Sequence, residues 1–188
     1  RAHKDYVLQE LKDFVAIPSV STLSEHKPDM QRAAEYVAKI MRSMGMDNVA
    51  IMPTAGHPLV YGEWLKAPGK PTVLVYGHYD VQPADPLDSW QSPPFAPELR
   101  QDRVYARGAE DNKGQLMAAI NAIEALIRLK VPLPTIKLII EGDEECGRIS
   151  AAEVLAQHPA ALRADILMSC DSGMVAPGIP TITMGLRG

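Results

Sequence analysis

Apolar residues recur every three or four positions in four stretches of the chain, a spacing that places them on one face of an α-helix. In the first stretch, Val7, Leu11 and Phe14 belong to one such apolar stripe. In the second, Asp29 is placed to cap a helix and Gly45 to end it. The predicted helices cover residues 4–16, 30–44, 115–129 and 151–157.

Short apolar runs bounded by Gly, Pro or polar turns predict β-strands between these helices. The clearest run leads into Gly77 and is followed by Pro83. A helix between two strands can cross over to a parallel neighbour. We therefore expect an α/β fold, with a mostly parallel central sheet flanked by helices on both faces. The predicted strands cover residues 49–52, 59–65, 72–77, 103–106, 135–140, 164–169 and 181–184.

The composition is that of an ordinary globular protein, with 188 residues, 46% hydrophobic residues and a formal net charge of −4. No apolar run approaches the ~20 residues of a membrane span, and no signal-peptide pattern is present. The mild acidity and the lack of a long basic cluster argue against a nucleic-acid partner. Cys146 and Cys170 form no CxxC motif, so we expect a cytoplasmic protein that contacts neither membranes nor nucleic acid.

Acidic residues and one histidine follow the carboxyl ends of three predicted strands. A further acidic residue lies in the turn before the third predicted helix. Parallel strands bring such ends to one edge of a sheet. With ideal strand alternation, His78 and Asp80 face the same way, so the carboxylate can orient the imidazole. The converging candidates are His78, Asp80, Asp111, Glu144, Glu145 and Asp171.

Several carboxylates at one edge repel each other unless cations bind or protons are taken up. A histidine among carboxylates suits zinc or manganese, whereas calcium prefers oxygen ligands alone. A carboxylate can also bridge two metals. Taken singly, each acidic residue has a simpler explanation as a helix cap, a loop residue or a solvated charge. Their occurrence together favours a metal site.

The four motifs resemble those of the co-catalytic zinc peptidases, the family of carnosinase, cytosolic non-specific dipeptidase, glutamate carboxypeptidase, aminoacylase, acetylornithine deacetylase and succinyl-diaminopimelate desuccinylase. The amino-acid sequence of the first motif is most similar to that of the dipeptidase branch. In order, the motifs are Tyr-Gly-His-Tyr-Asp-Val-Gln-Pro, Arg-Gly-Ala-Glu-Asp-Asn-Lys-Gly, Glu-Gly-Asp-Glu-Glu-Cys-Gly and Ser-Cys-Asp-Ser-Gly, and they span about residues 78–171.

The resemblance implies hydrolysis of a peptide bond in dipeptides or short peptides with two zinc ions, for which manganese or cobalt can substitute. It assigns one metal to His78 and Asp171, the other to Glu145, and the bridge to Asp111. Glu144 is then the general base that activates a metal-bridging water. Asp80 orients the imidazole, which makes Asp80 and Glu144 the predicted catalytic residues. It also implies a cis peptide bond after the bridging aspartate.

The resemblance further implies that the chain is the N-terminal part of a catalytic domain. Members of the family continue with a lid domain that carries dimer contacts, and with a second histidine ligand. We therefore expect a homodimeric full-length protein and an inactive isolated chain.

Two other functions remain open at this stage. The same fold and metals serve N-acyl amino-acid deacylases, and a metal-binding module without catalysis is the second alternative. Cys146 and Cys170 flank predicted ligands, and each is expected to be a buried, inert thiol rather than a soft metal ligand. A nucleotide-binding domain is disfavoured because no Gly-x-Gly-x-x-Gly follows a strand.

Overall fold

A five-stranded mixed sheet forms the centre of the computed structural model, which describes residues 3–147 and 150–185. In spatial order its strands are β1, β2, β6, β3 and β7. Their bounds are β1 Asp47–Met52, β2 Leu59–Trp64, β3 Thr72–His78, β6 Thr135–Glu141 and β7 Ile166–Ser169. A separate hairpin pairs β4, Glu98–Arg100, with β5, Arg103–Tyr105.

Four of the five sheet strands point in the same direction. Strand β2 is antiparallel to both of its neighbours, whereas β3 is parallel to β6 on one side and to β7 on the other. The carboxyl ends of β3, β6 and β7 therefore lie next to one another. The predicted mostly parallel sheet is confirmed.

Helices cover both faces of the sheet, as predicted. The four helices are α1 Lys4–Val15, α2 Lys27–Ser43, α3 Lys113–Arg128 and α4 Ser150–Gln157. The first three bury their apolar stripes on one face, where Phe14, Met41 and Leu116 join the main core with Val75 and Leu138. On the other face, residues of α4 and of the turn after it form a smaller core that includes Val154, Leu162, Tyr61 and Ile139.

Two local predictions are wrong. Residues 181–185 form no strand; Thr181 instead accepts a hydrogen bond from the main-chain N–H of Val175 and donates one to Ile179. Asp29 does not precede α2 but lies in its first turn, where it pairs with His26 and Arg32. The helix begins earlier because Pro28 is tolerated in a first turn, where its missing N–H is not needed.

Candidate metal centre

The imidazole of His78 is fully buried at the end of β3 and is held on its Nδ1 side. Nδ1 donates to the main-chain oxygen of Asp80, 3.1 Å away, and the carboxylate atom Oδ1 of Asp80 lies 3.3 Å from it. The other carboxylate oxygen, Oδ2, accepts from the Ser21 hydroxyl at 2.7 Å and from the main-chain N–H of Glu145 at 3.0 Å. This network orients the ring.

The opposite ring nitrogen, Nε2 of His78, faces three carboxylates. It lies 3.2 Å from Asp111 Oδ1, 3.6 Å from Asp171 Oδ2 and 3.9 Å from Glu144 Oε2. The three acidic side chains come from the turn before α3, from the segment after β7 and from the turn after β6. They are partly exposed, whereas the imidazole between them is buried, so the site opens to solvent on its acidic side.

Glu145 also lies close to His78 and Asp111. A ligand atom of each of His78, Asp111 and Glu145 lies within 4.8 Å of the other two, and the same holds for His78, Glu144 and Asp171. Gln82 donates from Nε2 to Glu145 Oε2 at 2.8 Å. The structure thus gathers the four predicted metal ligands and both predicted catalytic residues at one place.

Asn112 connects two of the segments that form the site. Its Oδ1 accepts from the main-chain N–H of His78 at 3.1 Å, and its Nδ2 donates to the Cys170 carbonyl at 2.8 Å and to Asp171 Oδ1 at 3.2 Å. A Cβ on Gly77 would lie 2.9 Å from Asn112 Oδ1, so a glycine is needed for this approach. The Asp111–Asn112 peptide bond is cis, as the resemblance implies.

The electrostatics of the site favour a bound cation. Burial lowers the pKa of His78, but the hydrogen bond to Asp80 and the charges of Asp80, Asp171 and Glu144 outweigh it and raise that pKa to about 9. Burial is also the main cause that raises the pKa of Glu144 and of Glu145 above its usual value. The carboxylates therefore stabilise positive charge at this position, and a divalent ion supplies more of it than a proton.

The spacing of the donor atoms fits zinc. Zinc–ligand bonds of about 2.0–2.1 Å to nitrogen and oxygen place tetrahedral ligand atoms roughly 3.3 Å apart. The distances of 3.2 Å and 3.6 Å from His78 Nε2 to Asp111 and Asp171 are close to this separation. The Nδ1 hydrogen bond of His78 is the arrangement typical of metal-binding histidines, which donate their other ring N–H to a carboxylate or carbonyl.

Sequence reasoning missed the side chains that hold these residues in place. Strand alternation could have identified Gln82, which has the same parity as His78 and Asp80. Ser21 had no such signal, because it lies far from Asp80 along the chain and reaches it only in the folded protein. Nor did any pattern indicate the contacts of Lys113, next to the Asp111–Asn112 bond.

Lys113 anchors the start of α3 to the end of α1. Its side chain is fully buried, and burial lowers its pKa to about 7. Nζ donates to the carbonyls of Phe14, 3.1 Å away, and Ile17, 2.7 Å away, and lies 4.8 Å from the centre of the Phe14 ring. Through this contact the first helix supports the turn that carries Asp111.

We expect Lys113→Ala to lower the free energy of unfolding by about 1–3 kcal/mol, because it removes two buried hydrogen bonds and leaves a cavity. Lys113→Met keeps most of the packing and should lose less. Lys39→Ala, at an exposed position of α2, is the matched control and should change little. Urea unfolding measures all three variants. Equal stability of Lys113→Ala and Lys39→Ala would show that the anchor contributes nothing.

Comparison with known proteins identifies the family. Residues 74–185 match the model of peptidase family M20/M25/M40, which is more than half of the chain. The chain belongs to this family, and the predicted family membership is confirmed. The chain is 33% identical over 201 residues to the Beta-Ala-His dipeptidase of Homo sapiens, and this match covers 99% of the chain and 40% of the human protein.

Two further relatives show the range of the family. An M20 family metallo-carboxypeptidase from Sulfolobus solfataricus superposes with a TM-score of 0.82 at 36% identity, over 89% of this chain and 38% of that one. A succinyl-diaminopimelate desuccinylase from Azoarcus sp. is 40% identical over 92 residues, which are 46% of this chain and 24% of the relative. The chain thus spans about two fifths of the length of the curated dipeptidases that it matches.

Over residues 3–147 and 150–185, no helix combines the length and the apolar character that crossing a membrane requires.

Proposed function

We propose that this chain provides the metal-binding part of a dipeptidase that hydrolyses the peptide bond of dipeptides or short peptides. One observation carries the proposal: a buried imidazole nitrogen faces three carboxylates at distances of 3.2–3.9 Å. In an M20 family chain, this cluster lies at the carboxyl ends of adjacent parallel strands. Two of the relatives it matches are named as dipeptidases of human and rat.

Two zinc ions suit the donor set, with manganese or cobalt as substitutes. His78 and Asp171 would hold one ion and Glu145 the other, and Asp111 would be a ligand of both. When bound, the ions supply Lewis-acid chemistry, which polarises the scissile carbonyl and stabilises the negative charge that develops on its oxygen. Support comes from the two groups of ligand atoms, His78 with Glu144 and Asp171 and His78 with Asp111 and Glu145, which overlap at His78.

The protein side chains orient the ligands and move the proton. The Asp80 carboxylate lies beside Nδ1 of His78 and orients the ring. It also accepts a hydrogen bond from the main-chain N–H of Glu145. Glu144 accepts a proton at its carboxylate from the attacking water and delivers it to the nitrogen of the leaving amine. Burial raises the pKa of Glu144 above its usual value, which makes its carboxylate a stronger base than an ordinary glutamate and favours this role.

The proposal includes further segments of the catalytic protein. The chain is the N-terminal part of the catalytic domain, and a second histidine ligand and a lid domain with dimer contacts lie elsewhere in the full-length homodimer. The share of the relatives that the chain covers supports this, as does β7, whose residues Ile166 and Leu167 are 53% and 68% exposed. We expect little turnover by the isolated chain; dipeptide hydrolysis by it that Glu144→Gln abolishes would contradict this.

An N-acyl amino-acid deacylase is the second candidate, favoured by the match to a desuccinylase over 92 residues. Both reactions break an amide with the same metal centre, so the residues described here serve either one. The difference lies in the group on the acyl side: a dipeptide presents a free amine there, and a deacylase substrate does not.

A matched pair of substrates tests the choice. We expect the zinc-loaded native protein that contains this chain to cleave glycyl-leucine with a much higher kcat/KM than N-acetyl-leucine. The two substrates release the same amino acid, so one assay for free leucine measures both. The opposite preference would identify a deacylase. Cleavage of neither substrate by a zinc-loaded protein would favour the non-catalytic metal-binding module.

The two cysteines lead us to propose that the protein is located in the cytoplasm. Cys146 and Cys170 both carry thiols, which suits the reducing cytoplasm. Fractionation of the source cells tests this, and recovery of the protein outside the cytoplasmic fraction would contradict it.

A further inference from the structure

A second cluster of metal-binding side chains lies beside the candidate metal centre. Ligand atoms of His57, Asp143 and Cys146 all lie within 4.8 Å of one another. None of the three is a predicted ligand or catalytic residue, and Cys146, predicted to be buried, is partly exposed. Together they offer one nitrogen, one oxygen and one sulfur donor, a combination that the candidate metal centre, which has only nitrogen and oxygen donors, lacks.

The fold holds these residues together across two segments. His57 belongs to the loop between β1 and β2, and the other two belong to the turn that follows β6. The main-chain N–H of His57 donates to Asp143 Oδ2 at 2.9 Å. Two further hydrogen bonds hold the loop: Thr54 Oγ1 donates to the His57 carbonyl at 2.8 Å, and the Ala55 N–H donates to Glu153 Oε2 at 2.9 Å.

The hydrogen bond of the His57 ring points to a ligand. Nε2 lies 2.9 Å from the main-chain oxygen of Ser21, which is only an acceptor. In the neutral imidazole, Nε2 therefore carries the proton and Nδ1 keeps its lone pair. Metal-binding histidines are commonly oriented by such a hydrogen bond from the second ring nitrogen to a carbonyl.

The burial of the cluster suits a bound ion that remains in contact with solvent. Asp143 is fully buried, whereas His57 and Cys146 are partly exposed. A cation can therefore enter from the side of His57 and Cys146 and keep water as a further ligand. Tetrahedral donor atoms around zinc lie roughly 3.3–3.8 Å apart, given bonds of about 2.0–2.3 Å. The three donors lie within 4.8 Å of one another, so a bound ion would draw them closer together.

We propose that His57 Nδ1, the Asp143 carboxylate and the Cys146 thiolate bind a divalent cation of the zinc class. Binding releases the thiol proton of Cys146 to solvent, because the thiolate is the ligand. Imidazole and thiolate select zinc, cobalt or cadmium over magnesium or calcium. The site does not depend on the proposed hydrolysis. Its occupation ties the β1–β2 loop to the turn that carries Glu144 and Glu145.

Cobalt(II) distinguishes this site from the candidate metal centre, because a cobalt–thiolate bond produces a strong near-ultraviolet charge-transfer absorption that nitrogen and oxygen ligands do not. The metal-free chain is titrated with cobalt(II) and its absorbance is recorded. We expect this absorption in the unmodified chain and in Asp111→Ala, which removes a predicted ligand of the candidate metal centre only. It should disappear in Cys146→Ser and weaken strongly in His57→Gln.

Cys170→Ser is the matched control, because it removes the other thiol and should leave the absorption unchanged. Two measurements show whether Cys146→Ser is folded: its circular dichroism spectrum and its cobalt uptake at the site that depends on Asp111. Both should match those of the unmodified chain. The proposal is overturned if the folded chain shows no thiolate absorption at saturating cobalt. It is also overturned if the absorption survives in Cys146→Ser or is lost in Cys170→Ser.

Discussion

Peptide hydrolysis by the native zinc-loaded protein is expected to fall by about 10²–10⁴-fold when Glu144 is replaced by glutamine, the range that general acid–base catalysis supplies. Glutamine has nearly the same shape but cannot accept the proton of the attacking water. Glu144 lies 3.9 Å from His78 Nε2 and its side chain is 40% exposed, so the substitution disturbs little packing. The measurement is kcat together with the zinc content of the same sample.

The neighbouring glutamate is the matched control. Glu145→Gln should reduce zinc content, because we assign Glu145 as a ligand, whereas Glu144→Gln should keep it. The two residues share a turn but have different contacts: Gln82 and the Asp80 network hold Glu145, and Glu144 faces His78. Loss of zinc in Glu144→Gln with retention in Glu145→Gln would reverse the two roles.

Asp111→Ala is expected to weaken zinc binding at the candidate metal centre by at least about 100-fold. The basis is that even residues which only orient metal ligands are worth 10–100-fold. Asp111 lies 3.2 Å from His78 Nε2 and forms one group of ligand atoms with His78 and Glu145. Because we propose it as a ligand that both ions would share, its loss should affect both. Its side chain is 59% exposed, so alanine should leave the fold intact. The measurement is the zinc affinity from calorimetric titration. Both proteins carry Cys146→Ser, so that zinc bound by the His57, Asp143 and Cys146 cluster does not contribute.

Glu110→Ala provides the matched control for this substitution. It removes the same charge from the adjacent, exposed position and should leave zinc affinity nearly unchanged. If both variants lose affinity equally, the effect is one of general negative charge and Asp111 is not a ligand. If neither does, the bridging assignment is wrong.

The largest local features of this protein were predictable from the sequence. Helices α1 to α3 and strands β1 to β3 and β6 lie within a few residues of their predicted bounds. Their signal is local, since the spacing of apolar residues follows directly from the periods of helix and strand. The acidic motifs were predictable as one site for a related reason: the carboxyl ends of parallel strands meet at one edge of a sheet.

Only the tertiary structure decided the contacts that join distant segments. The antiparallel place of β2 between β1 and β6, the bond from Ser21 to Asp80 and the burial of Lys113 under α1 have no local signature. The same is true of the His57, Asp143 and Cys146 cluster, which forms because β2 and β6 are neighbours.

The wrongly predicted strand at 181–184 shows that local periodicity alone does not establish a strand. Its alternating apolar residues suit a strand, yet no strand partner lies beside them in residues 3–147 and 150–185, and Ile182 and Met184 are 86% and 94% exposed. A strand needs hydrogen bonds from a neighbour, which its own sequence cannot supply. Local periodicity therefore determined which segments form elements and where the acidic residues gather. Partners distant in sequence decided how the elements pair and which side chains hold the ligands in place.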